Sequence, residues 1–242
     1  MSGWAIAAVL AIIAAAMFTR SAFGFGHGAF AMPLLVLVLD PRAATPLLAA
    51  VSFTVSLFIL ARDRGAVRLG STLVLTVGAL LGIPAGVALL VHVDGRTVAS
   101  GLALLLIAVS LRSLYGASLP RLDDDRSAPL FGLAAGVLGG AFNLIGIPVA
   151  LYGQMRGWNP AEFRAALNGF FLLTGLVGLI GQFAAGLFDA QVTWLVLLAL
   201  PGAWAGYALG TGVGGSMDRR TFERWIWGLV LVSAIALLVG GR

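Results

Sequence analysis

The sequence predicts an all-α protein that crosses a membrane several times and contains two inverted repeats. Each repeat is expected to hold a glycine-broken helical hairpin followed by three transmembrane helices. First, the chain is 60% hydrophobic and 10% charged, with a mean hydropathy of +1.02, values that describe no soluble domain. Second, a glycine-rich break occurs twice, at an offset of 115 residues. Third, the arginines are distributed unevenly between the loops, which indicates the direction of each segment.

The apolar stretches leave little sequence for a domain outside the membrane. Several reach the ~20 residues that a helix needs to cross the hydrocarbon layer. The longest polar segment carries three consecutive aspartates and divides the chain almost in half. We therefore predict a first transmembrane repeat over residues 1–115, a charged linker over 116–127 and a second transmembrane repeat over 128–242. The first apolar stretch is expected to be retained, because it lacks the preceding basic residues of a signal peptide.

Each predicted repeat begins with a glycine-rich break that a proline closes, over residues 24–33 and 139–148. Backbone at such a break cannot face lipid, since each unpaired amide would cost several kcal/mol there. We therefore expect both breaks to face protein or a watery cavity and to meet near the middle of the membrane. Amides at the start of each returning arm would carry partial positive charge, which favours an anion. Broken helices repeated in two halves are typical of a transport site.

The arginines favour hairpins at these breaks over single crossings. If each broken segment crossed the membrane once, each face would hold seven arginines, an unusual tie. If each is a hairpin that enters and leaves on one face, the count becomes eleven against three, a normal positive-inside bias. Both termini then lie outside the cytoplasm. The larger set is Arg62, Arg64, Arg68, Arg112, Arg121, Arg126, Arg156, Arg164, Arg219, Arg220 and Arg224, and the smaller set is Arg42, Arg96 and Arg242.

Composition argues against several other function classes. The absence of cysteine excludes disulfides, thiolate metal sites and cysteine nucleophiles. The absence of lysine excludes an ATP-binding phosphate loop, and no hydrolase or metalloprotease motif occurs. We therefore predict no enzymatic activity, no catalytic residues, no cofactor and no metal. The net charge is +5, and every lysine or arginine position that contributes to it is an arginine. Because most of these arginines lie near segment ends, membrane topology explains the charge better than nucleic-acid binding.

The ionisable residues deep in apolar segments are Arg20 and His27, whereas all ten carboxylates lie near segment ends or in loops. This distribution favours an anion over a cation as ligand. Arg20 either contacts the anion or extends from a helix end to the interface. His27 either contacts substrate or a proton, or is a neutral imidazole that a backbone carbonyl satisfies.

Four further polar residues are candidate ligands. Asn143 lies in the second break, where the offset aligns it with Gly28, and Ser52 and Asn168 lie inside helices; an ordinary hydrogen bond is the alternative for these three. Gln182 lies nearer a segment end, where we expect it to line an entrance. The complete predicted substrate-binding set is Arg20, Gly24, Phe25, Gly26, His27, Gly28, Ser52, Gly139, Gly140, Asn143, Asn168 and Gln182.

Glycines at four-residue spacing are typical of close helix packing, with a homodimer face included in that interpretation. They are Gly82 and Gly86 in the first half and Gly202, Gly206 and Gly210 in the second. The repeated groups Asp94/Arg96/Thr97 and Asp218/Arg220/Thr221 are interpreted as helix-entry caps.

Three groups of motifs point to one known family. They are Ser21-Ala22-Phe23-Gly24-Phe25-Gly26 with Met32-Pro33-Leu34-Leu35, Gly139-Gly140 with Ile147-Pro148, and Asn159-Pro160-Ala161-Glu162-Phe163-Arg164. Together they resemble the TauE/SafE sulfite-exporter family of membrane permeases. The resemblance implies transport across the bacterial inner membrane of a small sulfur-containing anion, such as sulfite, sulfoacetate or another organosulfonate.

The residues and the resemblance together predict a secondary transporter that works by alternating access around a central anion site. Its partners would be the small anion and the lipid bilayer, with no nucleic acid. The first alternative is a channel for a small anion or neutral solute. A membrane assembly subunit that transports nothing is the second, and an intramembrane enzyme is the last.

Reporter fusions test the predicted topology. A reporter that is active only in the periplasm should be active at either terminus, because only then do eleven arginines face the cytoplasm. A fusion at residue 121, in the charged linker, serves as the cytoplasmic control. A cytoplasmic location of either terminus would show that at least one broken segment crosses the membrane.

Overall fold

The computed structural model describes residues 1–24, 26–62, 72–115, 120–213 and 219–239, and the regular structure within these ranges is entirely helical. The predicted all-α fold is therefore confirmed. In chain order the helices are α1 (Gly3–Phe23), α2 (His27–Val36), α3 (Pro41–Arg62), α4 (Thr72–His92), α5 (Gly95–Tyr115), α6 (Ala128–Phe142), α7 (Gly146–Met155), α8 (Pro160–Ala184), α9 (Ala190–Val213) and α10 (Arg219–Val239).

Six helices in the described ranges are long and apolar enough to cross a membrane, which identifies a multi-pass membrane protein. The six spans are Gly3–Ala22, Pro41–Ile59, Leu73–His92, Gly95–Tyr115, Ala166–Ala184 and Ala190–Gly212. The sequence-based hypothesis also has six crossings, but it includes α10 in place of α1. Helix length does not distinguish the two sets of crossings, because a helix as long as α1 is compatible either with a crossing or with one arm of a hairpin. The direction of each helix has to come from its contacts.

The tightest helix pair is α4 with α6, and glycines line both sides of it. An added Cβ at Gly82 or Gly86 would collide with the carbonyl oxygen of Leu133 or Val137. From the other side, Gly136 lies against the carbonyl of Ala79. The contacts advance along both helices together, so α4 and α6 run parallel. Such close approach of backbones is possible only without side chains at these positions.

The pair formed by α1 and α9 shows the same close packing, here between the first helix of the first half and a long helix of the second half. Gly206 lies against the carbonyl of Ala14, and a Cβ at Gly210 would lie 2.5 Å from the carbonyl oxygen of Phe18. These contacts also advance together, so α1 and α9 are parallel. The glycines that the sequence analysis singled out for close packing therefore contact helices of the same chain.

Contacts at the helix ends place several termini side by side. The Arg42 guanidinium at the start of α3 donates hydrogen bonds to carbonyls at the end of α4, including that of Val91 at 2.7 Å. The end of α8 also lies there, because a Cβ at Gly181 would be 3.6 Å from a methyl carbon of Val87. The side-chain amide of Gln191, at the start of α9, lies 3.3 Å from the sulfur of Met1.

The described part of the charged linker is attached to the end of α7. The amide of Leu122 donates to the carbonyl of Met155 at 3.0 Å, and Arg156 donates to the carbonyl of Leu122 at 2.9 Å. Arg156 also forms an ion pair with Asp125 at 3.1 Å, and the Tyr152 hydroxyl donates to the same carboxylate. The chain therefore enters α6 and leaves α7 at the same end of the bundle.

Described carboxylates serve helix ends, as the sequence predicts. The Oδ1 atom of Asp94 accepts a hydrogen bond from the Thr97 amide at 2.9 Å, which makes Asp94 the cap of α5. Hydrogen bonds from Thr97 hold the pKa of the Asp94 carboxyl below its usual range. The Oδ1 atom of Asp189 accepts likewise from the Val192 amide at 2.7 Å, at the start of α9. The second predicted group begins at Asp218, which lies outside the described residues.

Replacing Gly136 by alanine should destabilise the protein, because the new methyl would meet the backbone carbonyl of Ala79 across α4. Overpacking of this kind costs about 1–3 kcal/mol, which thermal unfolding in detergent would detect. Gly101→Ala is the matched control, since Gly101 also lies inside a helix but an added Cβ there has no neighbour within 4 Å. Equal unfolding temperatures for the two variants would contradict the parallel packing of α4 on α6.

Candidate functional site

The first break is a short turn between α1 and α2 that only glycine adopts easily. Gly24 has φ 85° and ends α1, with its amide donating to the carbonyl of Arg20 at 2.7 Å. Gly26 has φ 88° and precedes the first residue of α2, His27. Both glycines lie in the left-handed region that side chains disfavour. The break is shorter than the sequence suggests, because α2 begins before Pro33 and includes it.

The second break uses an asparagine for the same purpose. Asn143 has φ 55° and ends α6, with its amide donating to the carbonyl of Gly139 at 2.9 Å. Asparagine tolerates this conformation better than other non-glycine residues. The sequence offset aligns Asn143 with Gly28, whereas its backbone conformation matches that of Gly24. Thr45 of α3 donates its hydroxyl to the carbonyl of Ala141 at 3.0 Å, which satisfies one of the last carbonyls of α6.

The two breaks touch each other. A Cβ added to Gly28 would lie 2.5 Å from the backbone carbonyl oxygen of Asn143, so only glycine permits this approach. Residues from the middle of α3 and α8 surround the contact. The breaks are thus enclosed by protein, as the cost of unpaired backbone in lipid requires.

A small cavity of about 20 Å³ lies at this meeting point. Four helices and the second break contribute to its wall. The lining residues are Arg20, His27, Ala49, Ser52, Phe53, Ser56, Asn143, Ile145, Phe171 and Gly175. A cavity of this size holds about one water molecule.

Arg20 is the buried cation of this cavity, with only 3% of its surface exposed. Its Nη1 donates to the carbonyl oxygen of Ser52 and its Nη2 to the hydroxyl of Ser56, each at 2.6 Å. Its guanidinium carbon lies 5.2 Å from the centre of the Phe171 ring, a cation–π contact worth roughly 0.5–2 kcal/mol. The side chain therefore points into the protein, and the alternative of extension to the membrane interface does not apply.

The charge of Arg20 faces neutral groups. The lining residues drawn from the described part of the chain include no aspartate or glutamate. Ion pairs that the structure shows elsewhere, such as Arg156 with Asp125, involve the linker and not this cavity. A buried cation without an anionic partner is costly, and an anion that entered the cavity would offset part of that cost.

Several buried polar atoms around the cavity lack a hydrogen-bond partner among the described residues. They are Nε of Arg20, Nδ1 of His27, Oγ of Ser52 and Nδ2 of Asn143. Unpaired buried polar groups are rare in proteins and commonly mark a ligand or water site. The Arg20 and Asn143 atoms are donors, and the Ser52 hydroxyl can donate. This set matches the oxygens of a small anion.

Phe171 links the residues of the two breaks. Its ring meets the ring of His27 edge to face, with centroids 5.7 Å apart and planes at 85°. The ring edge also lies against the start of α7, where a Cβ at Gly146 would be 3.3 Å from the Phe171 Cζ atom. Phe171 therefore contacts α1, α2 and α7 from its position on α8.

The structure brings together part of the predicted substrate-binding set. Arg20, His27, Ser52 and Asn143 line the cavity, and Gly28 forms the contact between the breaks. Gly139 lies against the side chain of Ile145, which lines the cavity, while Gly140 packs against the backbone of α4. Half-buried Asn168 and buried Gln182 are outside the lining. Gly24 and Gly26 shape the first turn without lining the cavity, and Phe25 lies outside the described residues.

Sequence reasoning gave no role to Phe171, Phe53 or Gly175. Apolar residues in an apolar helix carry no chemical signal of their own. Helical spacing offered one clue, because Phe171 and Gly175 follow Asn168 by three and seven residues and so share its face. Ser56 was not in the predicted substrate-binding set, although it lies one turn from Ser52 and both residues contact Arg20.

Replacing Arg20 by lysine should destabilise the protein. The lysine ammonium retains the charge but cannot reach the two oxygens in the forked geometry of a guanidinium. Loss of one buried hydrogen bond costs about 1–3 kcal/mol, which thermal unfolding in detergent would measure. The control is Arg96→Lys, because Arg96 is exposed at the start of α5 and should tolerate the change. An unfolding temperature for Arg20→Lys equal to that of the control would contradict the buried contacts of Arg20.

Comparison with protein-family models identifies the family of the chain. The family model described as sulfite exporter TauE/SafE matches residues 8–237. No curated protein and no solved structure gives a significant match. The family resemblance inferred from the glycine and proline motifs is therefore confirmed over nearly the whole chain. With its multiple apolar spans, the protein belongs to the TauE/SafE sulfite exporter family of membrane transporters.

Proposed function

We propose that the protein is a secondary transporter for a small sulfur-containing anion, either sulfite or an organosulfonate such as sulfoacetate. The observation that carries this proposal is the uncompensated buried charge of Arg20, surrounded by unpaired polar atoms of His27, Ser52 and Asn143. Membership of a sulfite exporter family supports the choice of a sulfur oxyanion. The anion would bind between the two breaks and supply the negative charge that no described carboxylate provides near Arg20.

The starts of the two returning helices add to this anion environment. Neither α2 nor α7 has a side-chain cap at its first turn. Their first amides carry the partial positive charge of a helix N-terminus. Since α2 begins at the cavity residue His27 and α7 follows the cavity residue Ile145, both helix starts contribute to the potential at one place.

The proposed architecture is a pair of inverted repeats over residues 1–115 and 128–242, joined by the linker 116–127. Helix directions support it. α1 begins beside the start of α9 and runs parallel to it, and α9 begins near the ends of α4 and α8. Since α2 leads to the start of α3, which also lies at the end of α4, the α1–α2 hairpin would enter and leave on one face.

The second hairpin would enter from the other face. α6 runs parallel to α4 and begins near its start, because Gly132 lies against the carbonyl of Leu75. α7 returns to the linker from which α6 emerges. With the arginine count, this orientation would put both termini in the periplasm and the linker in the cytoplasm of a bacterial inner membrane.

Alternating access around this site is the proposed mechanism. The cavity of about 20 Å³ is too small for a sulfur atom with its oxygens, so the structure would correspond to a closed state without substrate. Opening to either face would require movement of one hairpin relative to α3 and α8. A homodimer remains a prediction, and the glycine contacts described above lie within one chain.

Transport by reconstituted protein tests the site. His27→Ala and Asn143→Ala should each weaken sulfite or sulfonate binding by about tenfold or more, because a hydrogen bond to a charged group contributes roughly 1.5–3 kcal/mol. His92→Ala is the matched control, since His92 is exposed at the end of α4. Asn168→Ala and Gln182→Ala test the predicted residues outside the cavity. Unchanged binding and transport in both cavity variants would refute the proposed site.

Counterflow distinguishes the carrier from a channel. Proteoliposomes preloaded with unlabelled sulfonate should take up labelled sulfonate faster than empty ones, because a carrier returns loaded more readily than empty. Preloading would not accelerate uptake through a channel. If the protein transports no sulfur anion and none of these anions shifts its unfolding temperature, the result would favour the alternative of a membrane assembly subunit.

A further inference from the structure

We propose that Phe171 sets the size of anion that the central site accepts and must leave its position before substrate binds. This inference depends on the proposed function, because it concerns the same cavity. No sequence motif includes Phe171, and its role follows from its contacts. Phe171 lies near the middle of α8 and its side chain is only 8% exposed, whereas other apolar side chains of this helix are exposed.

The first step of the argument is volume. Of the residues that line the cavity, Phe53 and Phe171 are the aromatic ones. The cavity of about 20 Å³ accommodates about one water molecule, so binding of a sulfonate requires one large side chain to move. Arg20 is held by hydrogen bonds to Ser52 and Ser56, and the two phenylalanine rings are the largest apolar side chains of the lining.

The second step distinguishes Phe171 from Phe53. The Phe171 ring covers the guanidinium of Arg20 at 5.2 Å and meets the ring of His27 at 5.7 Å. Its edge also contacts the start of α7 at Gly146. Rotation of this ring would uncover both Arg20 and His27 and enlarge the cavity next to them. Phe53 lies against Gly175 on α8, where an added Cβ would be 3.2 Å from its ring.

The third step concerns the organic group of the substrate. A sulfonate head would lie among polar donors, so its carbon substituent has to occupy the remaining apolar space. Phe171 fills the part of that space between α8 and the two hairpins. The distance that the ring can move would therefore limit the substituent, as a hydrophobic pocket limits its ligands by their shape.

Binding of a size series to wild type and variants tests this inference. The probes are sulfite, methanesulfonate, ethanesulfonate and benzenesulfonate, with affinity measured by calorimetry in detergent. Phe171→Ala should raise the affinity for benzenesulfonate relative to methanesulfonate by about tenfold or more compared with wild type. Phe171→Leu should change the ratio in the same direction by less, and it guards against a folding defect of the alanine variant.

Two further variants sharpen the experiment. Gly146→Ala would press on the Phe171 ring from α7 and should lower the same affinity ratio. Phe183→Ala is the matched control, because Phe183 lies on the same helix but is 73% exposed. Its affinity ratio should equal that of wild type. The affinity of each variant is measured the same number of degrees below the unfolding temperature of that variant.

The outcomes separate the two proposals. If wild type binds sulfur anions but both Phe171 variants retain its affinity ratio, the role of Phe171 is overturned and the proposed function stands. If wild type binds no member of the series, the proposed function is overturned, and this inference with it. A shift of the ratio in Phe183→Ala equal to that in Phe171→Ala would also overturn the inference.

Discussion

Two interruptions of helical backbone within an apolar layer are the constraint on which the rest of the structure depends. Hydrocarbon offers no partner for free amides and carbonyls, so each interruption has to be surrounded by protein. The structure meets this requirement by packing the interruptions against each other, with Gly28 directly against the carbonyl of Asn143. The middle of α3 and α8 encloses them, and Thr45 satisfies a carbonyl at the end of α6. The site at the centre is a consequence of this enclosure.

The same enclosure produces an electrostatic imbalance. Arg20 is held by neutral oxygens of α3, and the described cavity wall supplies no carboxylate. The stability of the rest of the chain must offset the desolvation of the guanidinium. Stored imbalance of this kind is suited to a transporter, because a site that already contained its counter-charge would gain little from binding an anion.

Glycine contributes to the fold at two different scales. In the breaks it supplies the positive φ angles of Gly24 and Gly26, while Asn143 fills that role in the second half. In the helix pairs α4–α6 and α1–α9 it removes side chains so that backbones meet. α6, the first helix of the second half, packs on α4, the second of the three transmembrane helices predicted for the first half. α1, the first helix of the first half, packs on α9, which has the same position in the second half. Movement of either half would therefore be transmitted through contacts that leave little room for slack.

The sequence by itself determined the all-α membrane class, the family and the two breaks, and it predicted six polar candidates for the site: Arg20, His27, Ser52, Asn143, Asn168 and Gln182. These features depend on composition, on glycine and proline spacing and on the high cost of charge in lipid, all of which are local properties. Only the tertiary structure decided that Asn168 and Gln182 lie outside the cavity and that Phe171 lines it. An apolar side chain in an apolar helix has no local signal, because its role depends on which helix lies opposite.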